Sequence, residues 1–200
     1  MNPQADVLRH SRRTLLLLGA LFFAPFIGAW IVYHFFPDLR PSGRTNYGEL
    51  ISPARPLPAF ALKDGDGKPL PELLHDKWSL VYLGAAECDE TCRTRLVLVR
   101  QVRLALGKNL SRLQRIYIAP DAAAQSAATT MLAGEHRGLK IMVDAGAEGQ
   151  RAVDFFKPSD AQALYLVDPN GNWLMVYAGK VEPKGLLGDL KKLMRLSSIG

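Results

Sequence analysis

Two hundred residues with 48% apolar and 22% charged side chains have a globular composition, which excludes a disordered chain or a disulfide-dense scaffold and fits one compact domain. Two cysteines are present, too few for a cysteine-rich zinc site. The net charge of +6 divides into +3 for residues 1–45 and +3 for residues 46–200, so no basic block marks a nucleic-acid surface and no nucleic-acid partner is expected.

The first predicted element is Thr14–Phe36, TLLLLGALFFAPFIGAWIVYHFF, without a formally charged residue. As a helix its 23 residues reach about 34 Å, enough to cross a hydrocarbon core of roughly 30 Å. Pro25 is tolerated in a spanning helix, His34 lies near the interface, and Trp30 and Tyr33 fall where an aromatic belt belongs. A cleavable signal peptide has a shorter apolar region and a small-x-small cleavage site, whereas this run continues into Phe35, Phe36 and Pro37, so a retained anchor is expected. Ser11-Arg12-Arg13-Thr14-Leu15 resembles a twin-arginine signal, but Arg9, Arg12 and Arg13 are sufficiently explained as a positive-inside flank. Residues 1–13 are thus expected in the cytoplasm, residues 14–36 in the lipid bilayer of a bacterial inner membrane, and the remainder in the periplasm.

Residues 37–57 are rich in Pro, Gly, Ser and Arg and lack a sustained apolar period, which predicts an extended tether, with 45–56 a spacer or a docking peptide. A domain over 58–200 opens with Phe60–Leu62 and Asp64-Gly65-Asp66-Gly67. The later ligands of an EF-hand are missing, so Asp-Gly here predicts a hairpin turn. Trp78–Leu83 has the composition of a buried strand and runs into Gly84-Ala85-Ala86-Glu87-Cys88-Asp89-Glu90-Thr91-Cys92. Leu96, Val99, Val102 and Leu106 then recur at helical spacing up to Gly107. Arg115–Ala119 predicts a strand, Ala122–Gly134 a helix, Leu139–Val143 a strand and Ala147–Phe156 a helix. Ala163–Val167 and Trp173–Tyr177 flank the hairpin signal Asp168-Pro169-Asn170-Gly171. A last helix starts at Pro183 with Leu186, Leu190 and Leu193 on one face.

Strands alternating with helices and closed by a hairpin predict an α/β fold, a mixed sheet flanked by helices. Cysteines in the loop after a central strand are placed as in the thioredoxin fold. With the amino-terminal anchor, the opening hairpin, the strand SLVYLG, the C-x-x-x-C at Cys88 and Cys92 and the segment ALYLVDPNGNWL, the chain resembles the Sco/SenC family of thioredoxin-like, membrane-anchored cytochrome c oxidase assembly factors. That resemblance implies copper as a cofactor, Cys88 and Cys92 as copper ligands or a redox pair, and cytochrome c oxidase subunits or other assembly factors as partners. The family completes its copper site with a histidine just before the penultimate strand. By this resemblance Asp160 stands in its place, and a hard carboxylate is a poor substitute for imidazole toward Cu(I).

Three intervening residues put Cys88 and Cys92 about one helical turn apart, or at a helix amino terminus if Cys88 is in the loop. Such a pair chelates a soft ion or closes into a disulfide in an oxidising compartment. The helix terminus with Arg93 and Arg95 lowers the thiol pKa, while Glu87, Asp89 and Glu90 raise it. These influences oppose each other, so a metal-carrying or slowly cycling pair is expected rather than a fast oxidoreductase. A plain structural disulfide over so short a loop contributes modest stability.

Of the other histidines, His10 precedes the span, His34 lies in it, and His75 and His136 are expected in solvent-exposed loops, with His136 the better placed to approach a strand end. Pro158 is the one candidate for the active-site proline of thioredoxins. Three functions follow: a Sco-like assembly factor handling copper or thiol redox state, a periplasmic thiol-disulfide oxidoreductase, and a non-catalytic binding module. A peroxidase is disfavoured, because Ala85 and Asp89 stand where a Thr or Ser is required.

Overall fold

The computed structural model describes residues 3–36, 46–197 and 199, with side chains from Arg12 onward. The chain divides into two units, Met1–Thr45 and Asn46–Gly200.

In the first unit, helix α1 spans Pro3–Phe35 and includes Pro25. Its stretch Arg12–Phe35 is long and apolar enough to cross a membrane, and none of its most apolar window is buried in protein. The expected tether residues 37–45 and the side chain of His10 lie outside the described residues.

The second unit is built on a seven-stranded sheet in the order β1-β7-β6-β3-β4-β5-β2. Strand β3 (Trp78–Leu83) runs parallel to β4 (Leu113–Ala119), and β4 runs parallel to β5 (Leu139–Asp144). On its other side β3 pairs antiparallel with β6 (Leu164–Val167), which forms a hairpin with β7 (Asn172–Tyr177). The turn is closed by Asp168, whose Oδ1 accepts from the amides of Asn170 and Asn172, and Gly171 takes the positive φ of 79° that the turn needs. Strand β2 (Leu62–Lys63) adds to β5, and the Asp64–Gly67 turn brings Lys63 against Pro69.

Helices α2 (Glu90–Ala105), α3 (Ala122–Leu132) and α5 (Pro183–Leu196) bury Leu96, Val99, Ala128, Leu132, Leu186 and Leu190 in one cluster with Leu80, Leu113 and Tyr117 of the sheet. The other cluster gathers Val81, Ile116 and Ile118 with Phe60 and with Phe156 of α4 (Ala152–Phe156). Alternate residues of β3 and β4 thus feed opposite faces, as the strand period requires. This confirms the thioredoxin-like α/β expectation.

Two local expectations need correction. Residues 49–56 of the expected tether form strand β1 (Glu49–Pro56), antiparallel to β7 from Glu49↔Val176 to Pro56↔Asn172. Pro53 and Pro56 are tolerated because this is an edge strand, and its exposure removes the alternation that would have marked it. The helix expected over 147–156 begins only at Ala152, because Gly149 adopts a φ of 82° and the Asp144 carboxylate accepts from the Ala152 amide at 2.6 Å. On α5 Leu193 packs, half-buried, against the cluster that holds Leu186 and Leu190, and Met194 joins them.

The junction of β1 with the domain is held by Asp189, a buried carboxylate on the inner face of α5. It accepts from the amides of Tyr47 at 3.0 Å and Gly48 at 2.8 Å, and from the Tyr177 hydroxyl at 3.3 Å. The Tyr47 hydroxyl in turn donates to the Lys180 carbonyl and accepts from the Glu182 amide. A side chain at Gly48 would overlap the Tyr177 ring.

Candidate active site: the Cys88–Cys92 disulfide

Central strand β3 ends at Leu83, and the Gly84 amide extends its ladder by donating to the Ile118 carbonyl at 2.8 Å. Any side chain at Gly84 would overlap the Tyr117 ring, whose phenol burial pushes up to about 12. The exposed residues 85–87 then lead to Cys88 and to Asp89, the N-cap of α2. Asp89 Oδ1 accepts from the Cys92 amide at 2.8 Å, satisfying one of the free donors of the first turn and fixing Cys92 there.

Cys88 and Cys92 are joined in a disulfide, with Cα atoms 5.2 Å apart. Both belong to the buried cluster that also holds Tyr82, with 5% and 4% of their surface exposed. A short apolar cleft between Leu83, Ile118, Pro120 and Val153 opens at the same carboxyl edge of the sheet.

The charges foreseen around the cysteines separate by position. Glu87, Glu90 and Arg93 are exposed, whereas Arg95, one turn beyond Cys92, is buried. Arg95 Nη2 donates to the Gly179 carbonyl at 2.6 Å, and the Gly179 amide donates to Asp160 Oδ2 at 2.6 Å. Asp160 Oδ1 accepts from the Gln162 amide at 2.9 Å. The backbone of one residue, Gly179, therefore joins α2 to the loop before β6 through its carbonyl and its amide. Burial pulls the Arg95 pKa down, opposed by the charge of Asp160. Burial and then Asp89 push the Tyr82 phenol up, with Arg95 opposing. Helical spacing held a signal for Arg95, which falls on the same stripe as Cys92, Leu96 and Val99.

Copper is implied by the resemblance, so the donor set matters. Cu(I) favours thiolates and imidazole, but both sulfurs are spent in the disulfide and both Asp160 oxygens are engaged by backbone amides. His75 precedes β3 and His136 precedes β5, which places both at the amino ends of parallel strands whose carboxyl ends carry the cysteines. His75 packs against Gly171 and lies 3.9 Å from Glu72. His136, in the loop joining α3 to β5, is buried rather than solvent-exposed, because that loop packs beside Arg100 of α2 and Arg115 of β4. Pro158 is exposed. Among the described residues no group of three or more His, Cys, Asp or Glu is arranged to hold a metal ion. The residues do not assemble a two-sulfur, one-histidine copper site.

The family model for a transmembrane-like, thioredoxin-like, C-terminal domain matches residues 78–197. Among solved structures, yeast Sco1 is similar at a TM-score of 0.60 and 18% identity, over 71% of this chain and 99% of that one. Apo Sco1 of Thermus thermophilus gives 0.58 and 20%, over 74% and 97%. The copper-bound ScoI of Arabidopsis thaliana gives 0.56 and 19%, over 69% and 97%. At these identities the likeness is one of fold. No curated protein matches the sequence.

Proposed function

The chain belongs to the family of transmembrane-like, thioredoxin-like C-terminal domains, and from that premise we propose a membrane-anchored factor of Sco/SenC type that assists cytochrome c oxidase assembly by thiol redox at Cys88 and Cys92. The observation that carries the redox reading is the disulfide between these residues at the start of α2, with no third soft ligand beside it among the described residues. In the exchange, a thiolate of a dithiol attacks one sulfur of the partner's disulfide and expels the other. The second thiol then resolves the mixed disulfide, so two electrons and two protons pass from dithiol to disulfide. The opposed charges around the pair favour an assembly factor that cycles slowly over a turnover enzyme. The cleft at the carboxyl edge of the sheet offers a resting place for an apolar segment of the partner.

The same reading puts α1 across a bacterial inner membrane with its Arg9–Arg13 flank in the cytoplasm and the domain in the periplasm. The positive-inside rule supports that orientation, and the disulfide is in keeping with an oxidising compartment. Copper handling by the reduced pair is the second reading. It is favoured by the fold shared with the copper-bound ScoI and requires a donor that Asp160, braced by two amides, does not supply.

The test is the level of assembled cytochrome c oxidase in cells whose chain carries Cys88→Ser together with Cys92→Ser. A several-fold loss of oxidase is expected, with the variant protein still present in the membrane. An unchanged oxidase level rejects thiol redox and copper handling alike.

A further inference from the structure

At the end of the sheet opposite the disulfide, α2, β4 and the loop joining α3 to β5 enclose a group of cations without a counterion. Arg115 of β4 is 2% exposed and His136 is 4% exposed. Arg115 Nη2 donates to the Arg137 carbonyl at 2.6 Å, Arg103 Nε donates to the Leu113 carbonyl at 2.7 Å, and Arg100 Nη1 donates to the Glu135 carbonyl. Each guanidinium is therefore aimed by a neutral acceptor. Among the described residues no carboxylate lies within 4.0 Å of any of the three. Three nitrogens stay buried without a partner: Nε and Nη1 of Arg115, both donors, and Nδ1 of His136, a donor in the tautomer that carries its proton there.

A buried charge is stable only when it is paired or fully hydrogen-bonded. Backbone carbonyls orient these groups but leave their charge uncompensated. The groups also act on one another: burial pulls the Arg115 pKa down to about 10, with the charges of Arg103 and Arg100 adding to it. Burial and then Arg100 and Arg115 lower that of His136, and Glu135 alone opposes them. A water molecule would satisfy a donor and leave the repulsion, whereas an anion answers both.

We propose that this junction binds one small inorganic anion, held by Nε and Nη1 of Arg115 and by Nδ1–H of His136, within the field of Arg100 and Arg103. The unpartnered nitrogens have almost no surface open to solvent, so the ligand is a small ion, and chloride and phosphate are the probes. The site stands apart from the thiol chemistry, since the parallel strands β3, β4 and β5 carry the cysteines at their other end.

The test is thermal unfolding of the full chain in non-ionic detergent, with chloride and phosphate titrated separately against gluconate at constant ionic strength. A ligand that binds only the folded state raises the melting temperature, by about 5–10 °C at a hundredfold excess over its dissociation constant. Expected is a saturable rise with chloride or phosphate, lost in Arg115→Met and retained in Lys68→Gln, which removes one positive charge from an exposed turn. A melting temperature identical in all three salts overturns the proposal, as does a rise undiminished in Arg115→Met. If that variant does not fold, Arg100→Gln takes its place. A midpoint concentration at least fivefold higher is expected for it, and an unchanged midpoint overturns the proposal.

Discussion

Reducing the Cys88–Cys92 disulfide tests whether the fold of the domain depends on the bridge. The bridge spans a sequence separation of 4. In the chain-entropy description so short a loop removes about 6 cal/mol/K from the unfolded chain, or about 2 kcal/mol at 25 °C. The two thiols released remain in an apolar cluster, where cysteine is well accommodated. The N-cap bond from Asp89 to the Cys92 amide does not depend on the bridge. Reduction is therefore expected to lower the melting temperature of the domain by about 4–8 °C and leave it folded. The assay is thermal unfolding of the full chain in non-ionic detergent with and without a phosphine reductant, followed by circular dichroism. A drop of more than about 15 °C, or loss of the cooperative transition, would make the bridge a staple and refute the reasoning. A melt insensitive to the reductant, with the thiols shown free by alkylation, would refute the entropy estimate.

Three further outcomes are expected. Asp189→Ala leaves the Tyr47 and Gly48 amides and the Tyr177 hydroxyl without their acceptor. At about 1–3 kcal/mol per unsatisfied buried donor, with partial rehydration at the exposed strand, the cost is about 3 kcal/mol; urea unfolding measures it, and a loss below about 1 kcal/mol would show that Asp189 does not hold β1. His136 binds a proton less readily folded than unfolded, so its contribution is full above a pH of about 6.5 and is lost as the pH falls through the window below that value. Urea midpoints between pH 7.5 and 5 should decline in the wild type and flatten in His136→Gln; parallel curves would exclude His136 as the source. For the reduced full chain titrated with Cu(I) against a chelator, Asp160→His should bind at least tenfold more tightly than the wild type, and equal affinities would remove Asp160 from the ligand position that the resemblance implies.

Where local pattern and tertiary role coincide, the fold was legible. Trp78–Leu83 is apolar apart from Ser79 because a buried cluster covers each of its faces, and the Asp168–Gly171 turn carries its own chemistry. The position of Cys88 and Cys92 followed from the same run, but their burial did not, since it depends on packing within the whole cluster. Strand β1 was hidden because an exposed edge strand has no alternation, and its partners, β7 and Asp189, lie more than a hundred residues away. Asp189 itself had left a trace, as an acid on the same helical face as Leu186 and Leu190. His136 left none: its burial under cations from α2 and β4 is a contact between distant segments, and no spacing within residues 134–138 encodes it.

The burial of the disulfide bears on how exchange is controlled. Attack on a sulfur needs an approach along the bond that breaks, and with 5% and 4% of the two cysteines exposed that approach is blocked in the folded state. The covering structure is unequal in strength. On one side Arg95, Gly179 and Asp160 form a chain of 2.6 Å hydrogen bonds that ties α2 to the rim of the sheet. On the other side residues 85–87 are exposed, and the Gly84 amide bond to Ile118 is the last rung of the ladder before them. Residues 85–87 thus lead from the last rung of β3 to Cys88 through exposed positions, and Gly84 just before them lines the cleft. If the pair exchanges as proposed, a partner has to displace this segment to reach Cys88, and a macromolecule can offset that opening by burying apolar surface whereas a small thiol cannot. On the proposed reading, selectivity for a macromolecular partner then follows from the cover as much as from the sulfurs.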